Sequence, residues 1–121
     1  MTKIAIIEDD PTINQMYRMK FEAAGFDVST ASDGELGVQM VGKTKPDIIL
    51  LDLQMPHMRG DEALARIRAT DKTVPVIILT NLGKEEAPAS LKDLGVLSYI
   101  VKAELTPSQV VARVKQALNL S

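Results

Sequence analysis

Hydrophobic positions along this chain follow two alternating rhythms. Short β-branched runs predict strands, and apolar positions three and four apart predict helices. Lys3-Ile-Ala-Ile-Ile-Glu8 reads as a buried strand. Asp10-Pro11 then starts a helix, with a capping carboxylate followed by proline at the first helical position. Ile13, Tyr17, Phe21 and Ala24 recur at helical spacing, and Gly25 is the stop. Phe26 to Ala31 alternates like a strand, and Ser32-Asp-Gly-Glu35 fits a capping box opening a second helix over 33–43. After Pro46, Asp47-Ile-Ile-Leu-Leu-Asp52 is the most continuous apolar run, as a central parallel strand requires. Residues 60–70 form a third helical pattern, and Val74 to Thr80 a fourth strand. Proline inside a helix costs ~3 kcal/mol. Pro88 therefore predicts a short fourth helix over 87–94, ended by Gly95, with 81–86 left as a mobile loop. Leu97 to Val101 is a fifth strand. Thr106-Pro-Ser-Gln109 is a second capping box, and Val110, Val114, Ala117 and Leu118 stripe the fifth helix.

Five β/α units without repeat or linker predict one domain over residues 1–121. Strict alternation implies a parallel sheet covered by helices on both faces. The expected fold is α/β: an open, doubly wound, flavodoxin-like five-stranded sheet of order 2-1-3-4-5. Its ligand site should lie beyond the C-terminal ends of the strands.

Composition narrows the function. Aromatic residues are 3% with no Trp, so stacking platforms for single-stranded nucleic acid are lacking. Net charge is −2, from 14 basic and 16 acidic residues, which leaves no electrostatic footprint for DNA or RNA. The absence of cysteine removes disulfides and thiolate sites. No apolar run reaches membrane-spanning length and no signal-peptide pattern precedes the first strand, so a cytoplasmic location is expected.

The strand ends carry the candidate chemistry. Glu8, Asp9 and Asp10 follow the first strand, Asp52 the third, Thr80 the fourth and Lys102 the fifth. Asp10 is assigned to the helix cap. Gathered carboxylates repel: one pair at ~4 Å costs about 4 kcal/mol at an effective dielectric of ~20. A bound cation relieves this, and three carboxylates with backbone carbonyls and water suit Mg²⁺, or Mn²⁺ in its place. Such a centre suits phosphate chemistry. Lys102 adds a positive charge and Thr80 a hydroxyl. Asp52, mid-site on a rigid strand, is the natural nucleophile and would form an acyl phosphate.

The chain resembles the receiver domains of two-component response regulators over nearly its whole length. The resemblance rests on Ile6-Ile-Glu-Asp-Asp10, Asp47-Ile-Ile-Leu-Leu-Asp-Leu-Gln-Met-Pro56 with Gly60, Val76-Ile-Ile-Leu-Thr80, and Gly95 through Tyr99-Ile-Val-Lys102. It implies that Asp52 is the phosphoacceptor. Mg²⁺ would be held by Asp9, Asp52 and the Gln54 backbone carbonyl, with Glu8 acting through water. Thr80 and Lys102 would hold phosphoryl oxygens, and Tyr99 would be the aromatic switch coupled to Thr80. The implied donor is a sensor histidine kinase or a phosphotransfer protein. The implied readout is a protein target meeting the fourth helix, fifth strand and fifth helix, without direct contact to nucleic acid or membrane.

Three positions depart from the family pattern. Ala103 follows Lys102 where proline is usual, so a trans bond is expected there. Asn81 is larger than usual, and Leu82 replaces a polar residue that helps place the attacking water, which predicts a long-lived phosphorylated form. His57, the one histidine, reads as an exposed loop residue. Two other functions share parts of this pattern. A Mg²⁺-dependent phosphohydrolase with an aspartyl nucleophile would need a second Asp where Gln54 stands. A phosphorylation-independent receiver-fold interaction module would not need the complete pocket.

Overall fold

A computed structural model describes residues 1–120. Five strands, β1 (Lys3–Ile7), β2 (Asp27–Ala31), β3 (Ile48–Leu51), β4 (Val76–Thr80) and β5 (Ser98–Val101), form one parallel sheet of order β2-β1-β3-β4-β5. The helices are α1 (Pro11–Ala23), α2 (Gly34–Thr44), α3 (Gly60–Thr70) and α4 (Pro107–Ala117).

Alternation along the strands builds two apolar layers. Ile7, Ile49, Leu51 and Ile78 pack with Val41 of α2 and Leu64 and Ile67 of α3. Ile4, Ile6, Ile48, Leu50 and Ile77 pack with Phe21 of α1 and Val110 and Val114 of α4. β3 thus buries both faces, which is why its sequence is uniformly apolar. With aromatics so scarce, the core is aliphatic apart from buried Tyr17 and an edge-to-face pair of Phe21 and Phe26, centroids 5.1 Å apart.

Local chemistry fixes the helix ends. Asp10 Oδ1 accepts from the amides of Thr12 and Ile13, and Thr106 with Gln109 forms the expected capping box. Gly25 adopts φ +94°, the left-handed stop. At α2 the capping residue is Asp33, whose side chain accepts from the Leu36 amide; the Ser32 box is not formed. Asp33 itself has the extended backbone of an N-cap, which moves the helix start to Gly34.

The expected fourth helix is corrected. Residues 87–94 hold no α-helix; short 3₁₀ turns occupy Lys84–Glu86 and Ala89–Asp93. Pro88 lacks an N–H, and both Ala87 and Pro88 take extended ψ angles of 140° and 136°. The break leaves stretches too short for α-helical propagation. The segment is anchored by buried Leu91 and by Arg68 of α3, whose guanidinium donates to Leu94 O at 2.7 Å and Gly95 O at 3.1 Å. The helix expected fifth is therefore α4. No described helix is long and apolar enough to cross a membrane.

Candidate functional site

The β1–β3 register, ending at Ile7 opposite Leu51, sets the residues that follow each strand side by side. Those residues are Glu8 and Asp52, both buried, with half-buried Asp9 next in line. Glu8, Asp9 and Asp52 each place a carboxylate oxygen within 4.8 Å of the others. Backbone donors hold the pair in place. The Gln54 amide donates to Asp52 Oδ1 at 3.1 Å, and the Asp10 amide to Glu8 Oε2 at 3.1 Å. Asp10 turns its own carboxylate to the helix cap, as its sequence context predicts.

Lys102, just past β5, joins the cluster. Its Nζ donates to Glu8 Oε1 and, at 3.1 Å, to Asp52 Oδ2. One ammonium thus faces two buried carboxylates, with a third close by. Burial pushes the Glu8 carboxyl up to about 7, and the Asp52 charge adds to this; the bonds from Lys102 and the Asp10 amide only partly offset it. Burial pulls the Lys102 ammonium down, but the Glu8 hydrogen bond and the Asp52 and Glu8 charges outweigh it, leaving it raised. Lys102 therefore stays charged and the acid excess falls on Glu8.

Thr80 is fully buried at the end of β4, and its Oγ1 accepts from the Leu82 amide at 3.3 Å. The Tyr99 hydroxyl donates to Leu82 O at 2.8 Å, with Gly83 O at 3.4 Å. Leu82 links Thr80 and Tyr99 through its backbone, a role its side chain does not advertise. After Lys102 the chain turns through a 3₁₀ stretch, Lys102–Glu104, and no cis peptide occurs among the described residues, as expected for Ala103. His57 is exposed, at φ +67°.

Sequence reasoning missed Asn14. Its amide on the first turns of α1 donates to Glu8 O at 3.0 Å and Ala31 O at 3.2 Å. An asparagine inside a helical pattern gives no sign of that reach. The Ala31 carbonyl at the end of β2 is the second of these acceptors.

The donor set of Glu8, Asp9 and Asp52 is all oxygen, and with its three carboxylates ionised it keeps two negative charges after Lys102 is counted. That chemistry fits a hard divalent cation such as Mg²⁺.

Comparison with known proteins agrees with this geometry. Residues 4–115 match the response regulator receiver domain family. The chain is 35% identical over 121 residues to the DNA-binding dual master transcriptional regulator RpaA of Synechocystis, covering 98% of this chain and 50% of the relative. It is 34% identical to the alkaline phosphatase synthesis transcriptional regulatory protein PhoP of Bacillus subtilis, covering 98% and 49%. The chain thus spans about half the length of these relatives. Among solved structures, the Vibrio cholerae chemotaxis protein CheY4 superposes with a TM-score of 0.88 at 28% identity, covering 96% of this chain and 98% of that one. The receiver domain of Francisella response regulator 1452 does so with 0.84 at 30%, covering 96% and 95%. Sheet order, acidic cluster and family match agree: the chain belongs to the response regulator receiver domains of two-component signalling systems.

Proposed function

We propose that this chain is a single receiver domain over residues 1–121 that accepts a phosphoryl group on Asp52 and converts it into a change of surface. The observation that carries this reading is the convergence of Glu8, Asp9 and Asp52 with the Lys102 ammonium at the C-terminal edge of the sheet. In this reading Asp9, Asp52 and the Gln54 backbone carbonyl hold Mg²⁺ directly, and Glu8 holds it through water. The ion supplies charge neutralisation for phosphoryl oxygens. The donor is an N-phosphorylated histidine of a sensor kinase or phosphotransfer protein. A carboxylate oxygen of Asp52 forms the new O–P bond as the N–P bond breaks, and the imidazole leaves with the electron pair.

Receiver domains are signalling modules, and the switch here would run through Thr80. Phosphorylation adds roughly two negative charges. A swing from 1:99 to 99:1 between two conformations needs about 5.5 kcal/mol of differential stabilisation. Thr80 and Lys102 supply contacts that exist only with the phosphoryl group present. Drawing the Thr80 hydroxyl to a phosphoryl oxygen breaks its bond from the Leu82 amide, and Leu82 also holds the Tyr99 hydroxyl. The change reaches residues 81–93 and β5, and α4 completes the surface offered to a downstream protein in the cytoplasm.

The test is intact-protein mass spectrometry after acetyl phosphate and Mg²⁺. Wild type should gain one phosphoryl group, and Asp52→Asn should gain none while remaining folded. Equal labelling of the two proteins would reject Asp52 as the acceptor.

A further inference from the structure

We infer that Asn14 is a positioning residue for the acidic cluster: its side-chain amide fixes the Glu8 peptide, and so the aim of Glu8 and Asp9 toward Asp52. This inference deepens the Mg²⁺ reading above and rests on it.

The Glu8 peptide is gripped from both ends. Its N–H donates to Ala31 O at 3.0 Å, and its carbonyl accepts from Asn14 Nδ2 at 3.0 Å. The same Nδ2 reaches Ala31 O at 3.2 Å, so one amide ties the ends of β1 and β2 to the first turns of α1. Both N–H groups of that amide are used on backbone carbonyls. β1 ends at Ile7, and beyond the Glu8 N–H bond to Ala31 O its ladder no longer constrains the chain. The chain between Ile7 and Pro11 carries Glu8, Asp9 and Asp10, and its Glu8 carbonyl is held only by Asn14 among the described bonds. Three crowded carboxylates push one another apart. A fixed peptide converts that repulsion into a preformed cation site instead of a loop that swings outward. Groups that orient ligand-bearing residues typically change metal affinity about tenfold or more when removed.

Two variants separate positioning from stability. Asn14→Ala deletes the donors, and Asn14→Leu keeps the volume without an N–H. The first readout is amide exchange of Asp10 in the metal-free protein, because that amide donates to Glu8 Oε2 and reports where the carboxylate sits. The second is Mg²⁺ affinity by calorimetry. Asp33→Ala, which removes only the α2 cap, controls for lost stability. Faster Asp10 exchange together with about tenfold weaker Mg²⁺ binding is expected in both Asn14 variants and in neither readout of the control. If either readout stays at the wild-type value in both variants, Asn14 is merely structural and the inference is overturned. Wild type that binds no Mg²⁺ would overturn the metal reading, and Asp10 exchange would still decide whether Asn14 holds Glu8.

Discussion

Lys102 Nζ stands 3.1 Å from Asp52 Oδ2 while also donating to Glu8, so the acidic cluster carries its own counterion. An incoming cation must share these carboxylates with the ammonium. Lys102→Ala is therefore expected to tighten Mg²⁺ binding by roughly tenfold, or about 1.4 kcal/mol. That is well inside the ~4 kcal/mol one charge contact is worth at ~4 Å and an effective dielectric of ~20. Isothermal titration on both proteins measures it, and weaker binding by the variant would contradict the counterion role.

Gly60 lies against the Asp52 backbone. A Cβ there would stand 2.1 Å from Asp52 O and 2.7 Å from Leu53 Cα, both main-chain atoms unable to swing aside. Gly60→Ala should destabilise the protein by about 1–3 kcal/mol as overpacking does. Urea unfolding gives the value, and an unchanged midpoint would mean that the loop yields without cost.

His57 adopts φ +67° in the exposed loop after Asp52, a conformation that costs an L-residue roughly 1–2 kcal/mol. Glycine removes the strain but loses about 0.5–1 kcal/mol to unfolded-chain entropy. His57→Gly should therefore raise the unfolding free energy by about 0.5–1 kcal/mol net, read as a slightly higher urea midpoint. A lower midpoint would show that the imidazole itself contributes stability.

Asp71 leads the chain into β4. Its carboxylate accepts from the Thr73 and Val74 amides, each at 3.0 Å, and these bonds hold its pKa below the usual 3.8. The folded value is depressed, so the stabilisation is present above the unfolded pKa and disappears as pH falls through the folded one. Asp71→Ala should lower the denaturation midpoint at neutral pH, and the gap to wild type should narrow in acid. A gap independent of pH would remove the charge from the explanation.

Leu82 packs its side chain against the apolar layer of α2 and α3 instead of offering a polar group to the phosphoryl site. An alkyl chain cannot orient an attacking water, so phosphorylated Asp52 should persist. Leu82→Glu is expected to speed dephosphorylation. The decay of the phosphorylated species by mass spectrometry decides, and identical rates would acquit Leu82.

The sheet and the acidic cluster were legible because they rest on short-range rules. An apolar run ending in Asp52 defines a buried strand with a charge at its end, and β/α alternation fixes the edge on which such ends gather. Pro88 marked the weakness of the segment after β4, but not that 3₁₀ turns would replace a helix, because the competing geometries there differ by few hydrogen bonds. Asn14, Arg68 and the Leu82 backbone went unread for another reason. Asn14 and Arg68 reach main-chain carbonyls 17 and 27 residues away, and the Leu82 backbone meets the side-chain hydroxyls of Thr80 and Tyr99, 2 and 17 residues away; residue type alone does not encode such partners.

The two 3₁₀ turns after β4 have a last consequence. An α-helix resists reshaping because unwinding it sacrifices a cooperative ladder, whereas turns of three and five residues have little ladder to lose. Between its anchors at Leu91 and Arg68, the border beside β5 thus has few helical bonds of its own. If Asp52 takes a phosphoryl group as proposed, this border is the part of the surface that can be reshaped at the smallest loss of hydrogen bonds.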